Sequence, residues 1–171
     1  MAPAPVFTLV LPDRDHLADY LDFCRETLGQ VHYSYILHGT YAFDSWKDTL
    51  LRDYRNAERG IALPPGFVRS VTYWFFRDGR MIGIANHRPE LNDLLHEYGG
   101  HLGIAIRPGE RGKGYGKRLT LLMAQKAREL GIGELLLTGQ TGNAASSRLA
   151  ESLPGSRHEY AEGTVDRKSV V

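Results

Sequence analysis

Between residues 104 and 118 the chain reads Ile104-Ala105-Ile106-Arg107-Pro108-Gly109-Glu110-Arg111-Gly112-Lys113-Gly114-Tyr115-Gly116-Lys117-Arg118. An apolar run leads into glycines at alternate positions, Gly112, Gly114 and Gly116, and an amphipathic stretch follows. Glycine lets a backbone approach a ligand closely, and the first amides of a helix have no partner inside it. With the positive end of the helix dipole, such amides form an anion site suited to phosphate groups. Arg107, Arg111, Lys113, Lys117 and Arg118 add positive charge there against Glu110 alone. Single residues exclude two phosphate motifs. Walker A, ending on Gly116-Lys117, needs glycine where Arg111 stands and Ser or Thr where Arg118 stands. The dinucleotide fingerprint G-x-G-x-x-G needs glycine at 117 or 119, which hold Lys117 and Leu119. A third pattern, R/Q-x-x-G-x-G/A between a strand and a helix, is met by Arg111, Gly114 and Gly116.

A second group with chemical capacity lies just upstream: His96, Glu97 and His101. The zinc motif H-E-x-x-H stacks two histidines one helical turn apart. Here the spacing is one residue longer, which turns the second histidine roughly 140° off that face, and Gly99-Gly100 interrupt the helix. No metal is expected. The single cysteine, Cys24, falls on an apolar helical stripe with Leu17, Tyr20, Leu21 and Leu28, so it reads as core and not as a nucleophile. One cysteine also excludes an internal disulfide and any multi-cysteine zinc site.

The elements that must position these residues can be read from periodicity. Val6 to Leu11 is a strand closed by Pro12, and a helix capped by Asp13 runs to Leu28 with Gly29 as its stop. Residues 33–42 are aromatic and irregular, a loop; a second helix follows from the Ser45/Asp48 capping pair to Gly60, with Trp46, Leu50, Leu51 and Tyr54 on one face. Arg69 to Phe76 and Arg80 to Asn86 form a hairpin about Asp78-Gly79. A short helix within Pro89 to Tyr98 precedes the strand Leu102 to Ile106, then come the glycine loop and a helix from about Tyr115 to Leu130. Glu134 to Thr138 is a strand, Ala144 to Ser152 a helix, and Glu162-Gly163 turns a terminal hairpin. The strand–helix–strand unit in the second half demands at least one parallel pair. The fold class is α/β, with one domain over residues 1–171.

Composition bounds the function. The 171 residues are 42% hydrophobic and 24% charged, with 21 Lys and Arg against 20 Asp and Glu for a net charge of +1. That balance argues against disorder and against a global polyanion binder. No apolar run reaches the roughly 20 residues of a membrane span, and Val6 to Leu11 lacks the basic flank of a signal peptide. A cytoplasmic protein is expected, with no nucleic-acid or membrane partner.

On the strand, the Arg111/Gly114/Gly116 loop, the amphipathic helix, the leucine-rich strand, and Asn143 and Ser146 opening the next helix, the chain resembles the GNAT superfamily of N-acetyltransferases. The order of elements is similar over nearly the whole length, while the first 60 residues carry little specific likeness. The resemblance implies a mixed, mostly antiparallel sheet flanked by helices, with a parallel strand pair that splays to admit the pantetheine arm of acetyl-CoA. It implies backbone pairing of that arm with Ile104, Ala105 and Ile106, and a pyrophosphate held by amides from Gly112 through Lys113, Gly114, Tyr115 and Gly116 to Lys117, beside Arg111. Asn143 and Ser146 would support the arm, and Lys113 and Arg118 either meet the ribose phosphate or remain solvated.

Acetyl transfer to an amine must remove a proton from an alkylammonium and help the departing thiolate. By resemblance, the base comes from this upstream group, His96, Glu97 or His101, with His101 the choice because it begins the strand and its ordinary pKa suits neutral pH. Family members often place a tyrosine seven residues after the asparagine as the acid; here that position is Ala150. Ser147, Ser152, Tyr160 or a water is left to substitute. The acceptor is a small-molecule or peptide amine, with Tyr33, Tyr35, Tyr41 and Trp74 either lining its pocket or packing, and aromatics in 33–46 suited to a homodimer contact. Two other readings remain: a non-catalytic acyl-CoA sensor or scaffold, motivated by Ala150, and a nucleic-acid module using the basic loop, which lacks an aromatic-basic recognition pattern.

Overall fold

The computed structural model describes residues 3–27, 46–140, 142–159 and 165–170. Strand β1 (Phe7–Val10) is followed by helices α1 (Leu17–Thr27) and α2 (Trp46–Arg59), then by the hairpin β2 (Val71–Arg77) and β3 (Arg80–His87). The short helix α3 (Asp93–Glu97) precedes β4 (Leu102–Ile106), a single 3-10 turn at Pro108–Glu110 and α4 (Tyr115–Glu129). Strand β5 (Leu136–Gln140), helix α5 (Ala144–Ser152), β6 (Arg157–Glu159) and β7 (Val165–Val170) complete the order.

Four strands form one sheet in the order β1-β2-β3-β4, and three form a second in the order β5-β7-β6. Every ladder within them is antiparallel. The hairpin at Asp78-Gly79 has positive φ at both residues, the twist that matches two right-handed strands. Strand β3 is buried along both faces because it sits between β2 and β4 with helices above and below. On one face α1 and α2 cover Trp74, Phe76, Met81, Ile84 and Ala105 through Leu17, Tyr20, Phe23, Leu50, Leu51 and Tyr54. On the other, Leu119 and Met123 of α4 cover Phe75, Ile82, Ala85, Leu102 and Ile106.

The expected parallel pair is present as two neighbours, not as a ladder. Strands β4 and β5 meet where the His101 amide donates to the Leu136 carbonyl at 2.8 Å. Beyond that point they part, and residues of α4 and α5 line the space between them. Helix α1 begins at Leu17, three residues later than a cap at Asp13 implies; Asp13 still accepts from the His16 amide at 3.0 Å, in the turn that leads into the helix. Phe23, fully buried, belongs to the α1 core face, a position the stripe through Cys24 omits. Cys24 packs half-buried against that core, and burial pushes its thiol up to about 11, which leaves it protonated at neutral pH.

Candidate active site

Strand β4 reaches the site with one edge hydrogen-bonded to β3 and the other open. The Arg88 amide donates to the His101 carbonyl and the Arg107 amide to the Ile82 carbonyl. Since backbone groups alternate along a strand, odd-numbered residues of β4 face β3. Leu102, Ile104 and Ile106 therefore turn their amides and carbonyls towards β5. Of the three residues expected to pair with a ligand's amides, Ala105 is a correction: its register partner is Ile84, and its polar groups belong to the β3 ladder. Leu102, absent from that expectation, takes the place, and only the strand's edge pairing identifies it. The Ile106 carbonyl already accepts from Arg111 Nε at 3.0 Å, so Arg111 braces the strand–loop junction.

The loop after β4 presents a run of amides. Gly112 and Gly114 have φ of 73° and 81°, the left-handed region that glycine adopts without a clash. Gly114 is the N-cap of α4, and Arg118 is the first residue whose amide finds a helical partner, the Gly114 carbonyl at 3.1 Å. Among the described residues the amides from Gly112 to Lys117 donate to no protein acceptor, and together with the α4 dipole they form a cradle for an anion. The basic side chains are less available than their number suggests. Arg107 is 1% exposed and turns inward to Asp22 and Glu26 of α1, a correction to its place among the loop's charges. Lys113 Nζ donates to Glu110 at 3.0 Å, and Glu110 also faces Arg77 and Arg80. The Lys113 hydrogen bond, more than those arginines, lowers the Glu110 carboxyl. Arg118 lies over the Phe7 ring at 4.1 Å, and Arg77 over that of Tyr115 at 5.4 Å.

From this cradle a cleft of about 450 Å³, its open mouth included, runs between the strands. Its walls are Leu102 and Ile104 of β4, Leu137, Thr138 and Gly139 of β5, Thr120 of α4, and Ser146, Ser147, Leu149 and Ala150 of α5. Ser146 faces the cleft, while Asn143 is exposed and uses Oδ1 to cap α5, accepting from the Ser146 amide at 3.1 Å. Of the three residues weighed as the acid, Ser147 faces the cleft, Ser152 Oγ donates back to the Leu149 carbonyl, and Tyr160 lies outside the described residues. Ala150, 6% exposed, lines the cleft wall and offers no hydroxyl there.

The closed end of the cleft is built by Gly99, Gly100 and His101. Arg88, buried, donates from Nη1 to the carbonyls of both glycines, at 3.0 and 2.7 Å, and the Gly99 amide donates to Thr138 Oγ1 at 2.7 Å. A Cβ on Gly100 would stand 2.3 Å from the Leu136 carbonyl oxygen, so only glycine lets the two sheets touch there. His101 Nδ1 accepts from the Leu136 amide at 2.9 Å. An acceptor nitrogen is unprotonated, which puts the ring hydrogen on Nε2. Burial, with His96 and Arg88 nearby, lowers the pKa of this ring. A further proton would have to enter at Nδ1 and break the bond to Leu136. His101 is thereby placed as a pin between the sheets. Glu97 is exposed at the end of α3. Trp74 is 0% exposed and stacked on Tyr20, so it packs the core; Tyr33, Tyr35 and Tyr41, and the other dimer-suited aromatics before Trp46, lie outside the described residues.

This geometry of a splayed strand pair with an amide cradle at its mouth has relatives. Residues 32–153 match the sequence model of the Acetyltransferase (GNAT) family. The chain belongs to the GNAT acetyltransferase family. Similar solved GNAT-type structures include RimL, an alpha-N-protein acetyltransferase of a ribosomal protein, in complex with coenzyme A; it is 14% identical with a TM-score of 0.65, covering 96% of this chain and 91% of that one. The PaiA N-acetyltransferase of Thermoplasma acidophilum, also with coenzyme A, is 16% identical with a TM-score of 0.59, covering 96% and 98%. A ribosomal-protein alanine acetyltransferase of Vibrio fischeri is 12% identical with a TM-score of 0.61, covering 96% and 90%. Comparison with the curated proteins returns no match. No helix among the described residues of this GNAT chain is long and apolar enough to cross a membrane.

Proposed function

We propose that the chain is a single-domain, cytoplasmic N-acetyltransferase that moves an acetyl group from acetyl-CoA to a primary amine within a ternary complex. The observation that carries this reading is the run of amides from Gly112 to Lys117, without acceptors among the described residues, at the mouth of the β4–β5 cleft. Acetyl-CoA supplies an activated thioester. The loop amides, with Lys113 and Lys117 beside them, hold its pyrophosphate, and the open edge of Ile104 and Ile106 pairs with its arm. Ser146, with Asn143 ordering the start of α5, supports the arm from the facing wall. The Leu102 amide, at the closed end, donates to the thioester oxygen, where negative charge develops. Ser147 is the cleft hydroxyl nearest in role to the missing tyrosine at Ala150 and donates to the departing sulfur.

Proton removal is shared differently from the expectation of a histidine base. Glu97, solvent-exposed beside the closed end, takes the ammonium proton through water, while His101 positions β4 against β5. The acceptor is a primary amine on a small molecule or a peptide; RimL and the Vibrio fischeri enzyme, by their names, act on ribosomal proteins, which supports the peptide class. Ala150 favours a second reading, an acyl-CoA sensor without turnover. Calorimetric titration of acetyl-CoA, with ATP as comparison, tests both. Binding of acetyl-CoA at about micromolar Kd or tighter is expected, weakened roughly tenfold or more in Gly114→Asp, which strains φ and puts a carboxylate in the cradle. Failure of every CoA species to bind sinks both readings; binding without acetylation of any amine leaves the sensor.

A further inference from the structure

On the face of the sheet opposite the cleft's helical walls, β3 and β2 carry a buried polar pair. Asn86 Nδ2 donates to Thr72 Oγ1 at 3.1 Å, and the two residues are register partners. Both lie among apolar neighbours: Trp74, Ile84 and Ala105 on the same face are at most 1% exposed. The nitrogen and oxygen of a carboxamide diverge, so with Nδ2 on Thr72 the oxygen points away from it. On the other side of Asn86, in β4, its register partner is Gly103. Gly103 has no side chain to cover it. Among the described residues Oδ1 makes no hydrogen bond, and Asn86 keeps 9% exposure where its neighbours keep almost none. An acceptor oxygen without a donor is open to a ligand or water that completes the bond.

Gly103 lies one residue beyond Leu102, whose amide faces the closed end of the cleft. Helices α4 and α5 wall the cleft on their own side, so an acceptor must arrive from the face of Asn86. We propose that Asn86 Oδ1 is the hydrogen-bond acceptor that holds the nucleophilic amine above Gly103, and that Thr72 fixes the amide in the orientation that makes this possible. This rests on the acetyltransferase reading and adds to it the place where the amine is held. An uncharged carbonyl orients an N–H without taking its proton, which leaves the nitrogen lone pair directed at the thioester carbon. The C–N bond forms, the C–S bond breaks with its electrons on sulfur, one amine proton leaves through water, and Ser147 delivers one to the departing thiolate. The site takes an amine that, after directing its lone pair, still has an N–H for Asn86, as a primary amine does.

The test measures acetyl transfer from acetyl-CoA to ethanolamine, benzylamine, an alanine-initiated tripeptide and Nα-blocked lysine. Wild type is compared with Asn86→Ala, Asn86→Asp and Thr72→Val, and coenzyme A affinity is measured on each by calorimetry. For the best of these amines, Asn86→Ala lowers kcat/KM on the order of 10- to 100-fold with coenzyme A affinity unchanged. Asn86→Asp, which keeps an acceptor oxygen at the same place, restores most of it. Thr72→Val, which removes the orienting bond without touching the amine, loses less, and adds little once Asn86 is Ala. Equal kcat/KM in wild type and Asn86→Ala overturns the assignment, as does a loss that Asn86→Asp fails to restore while it still folds and binds coenzyme A. A wild-type chain that binds coenzyme A yet acetylates none of the four amines overturns it too, since the site then admits no primary amine. Failure to bind coenzyme A at all is the distinct failure of the acetyltransferase reading.

Discussion

His101 holds Leu136 twice, through its backbone amide at 2.8 Å and through Nδ1 at 2.9 Å. Its carbonyl turns the other way to accept from Arg88, so this one residue bends β4 from a partner on β5 to a partner on β3. The cleft opens from that point, and its angle depends on the pin. Replacing His101 by Asn keeps a side-chain oxygen able to accept from Leu136, whereas Ala leaves that half-buried amide with one partner fewer. Calorimetry is therefore expected to find coenzyme A affinity within about threefold of wild type in His101→Asn and roughly tenfold weaker in His101→Ala, the difference of about one net hydrogen bond. A general base would behave otherwise: both variants would bind coenzyme A normally and both would lose turnover. That outcome would return His101 to the role its residue type suggests.

At the scale of elements, the loop that cradles the anion is held from two sides. Arg107, at the end of β4, donates from Nε to the Met81 carbonyl at 2.9 Å and from Nη1 to Asp22 at 2.9 Å and Glu26 at 2.5 Å, tying α1 to the residue before the loop. From the other side Arg77 and Arg80 of the β2–β3 hairpin reach Glu110. Arg107→Met removes the inner tie but leaves Asp22 and Glu26 hydrated, at 57% and 38% exposure. A urea titration is expected to show a loss of about 2 kcal/mol for the bonds of one buried guanidinium. Asp22→Asn and Glu26→Gln each shift the midpoint less, because Arg107 keeps its other partner; equal losses in all three would mean the acids and not the arginine carry the contact. Periodicity makes the helices, the hairpin at Asp78-Gly79 and the glycine loop readable from residues alone, since each is specified within a few positions. Arg107 is not readable in that way, because its carboxylate partners lie more than eighty residues away and nothing local distinguishes a buried arginine from its solvated neighbours. The same holds for the alternation that puts Leu102 and not Ala105 on the open edge: it is decided by which side β3 occupies, a fact of pairing. Asn86 is silent for a related reason, as an asparagine in an apolar strand has no signal until its register partners, Thr72 and Gly103, are known.

The whole molecule carries a pH dependence that is independent of the cleft. His87, at the end of β3, is 0% exposed, and neither ring nitrogen has a hydrogen-bond partner among the described residues. Burial first, then the neighbouring charges of His101, Arg88 and Arg69, lower its pKa to about 4 from the ordinary 6.5. A histidine with a depressed folded pKa favours folding in its neutral form. Its contribution is complete above pH 6.5 and declines as pH falls from 6.5 to 4, where the unfolded chain binds a proton that the folded one refuses. Between pH 7 and 5 this amounts to roughly 2 kcal/mol of stability, at about 1.4 kcal/mol for each pH unit below the ordinary value. His101, whose pKa is lowered by its own burial, acts with the same sign. His87→Leu removes the main contribution and an orphaned polar ring together, so the variant is expected to be at least as stable as wild type at pH 7 and to lose markedly less on going to pH 5. Urea denaturation of both chains at the two pH values reads this directly. Parallel losses in wild type and variant would mean that His87 titrates normally, through a water or an opening that reaches its ring, and the acid sensitivity would then belong to the pin at His101.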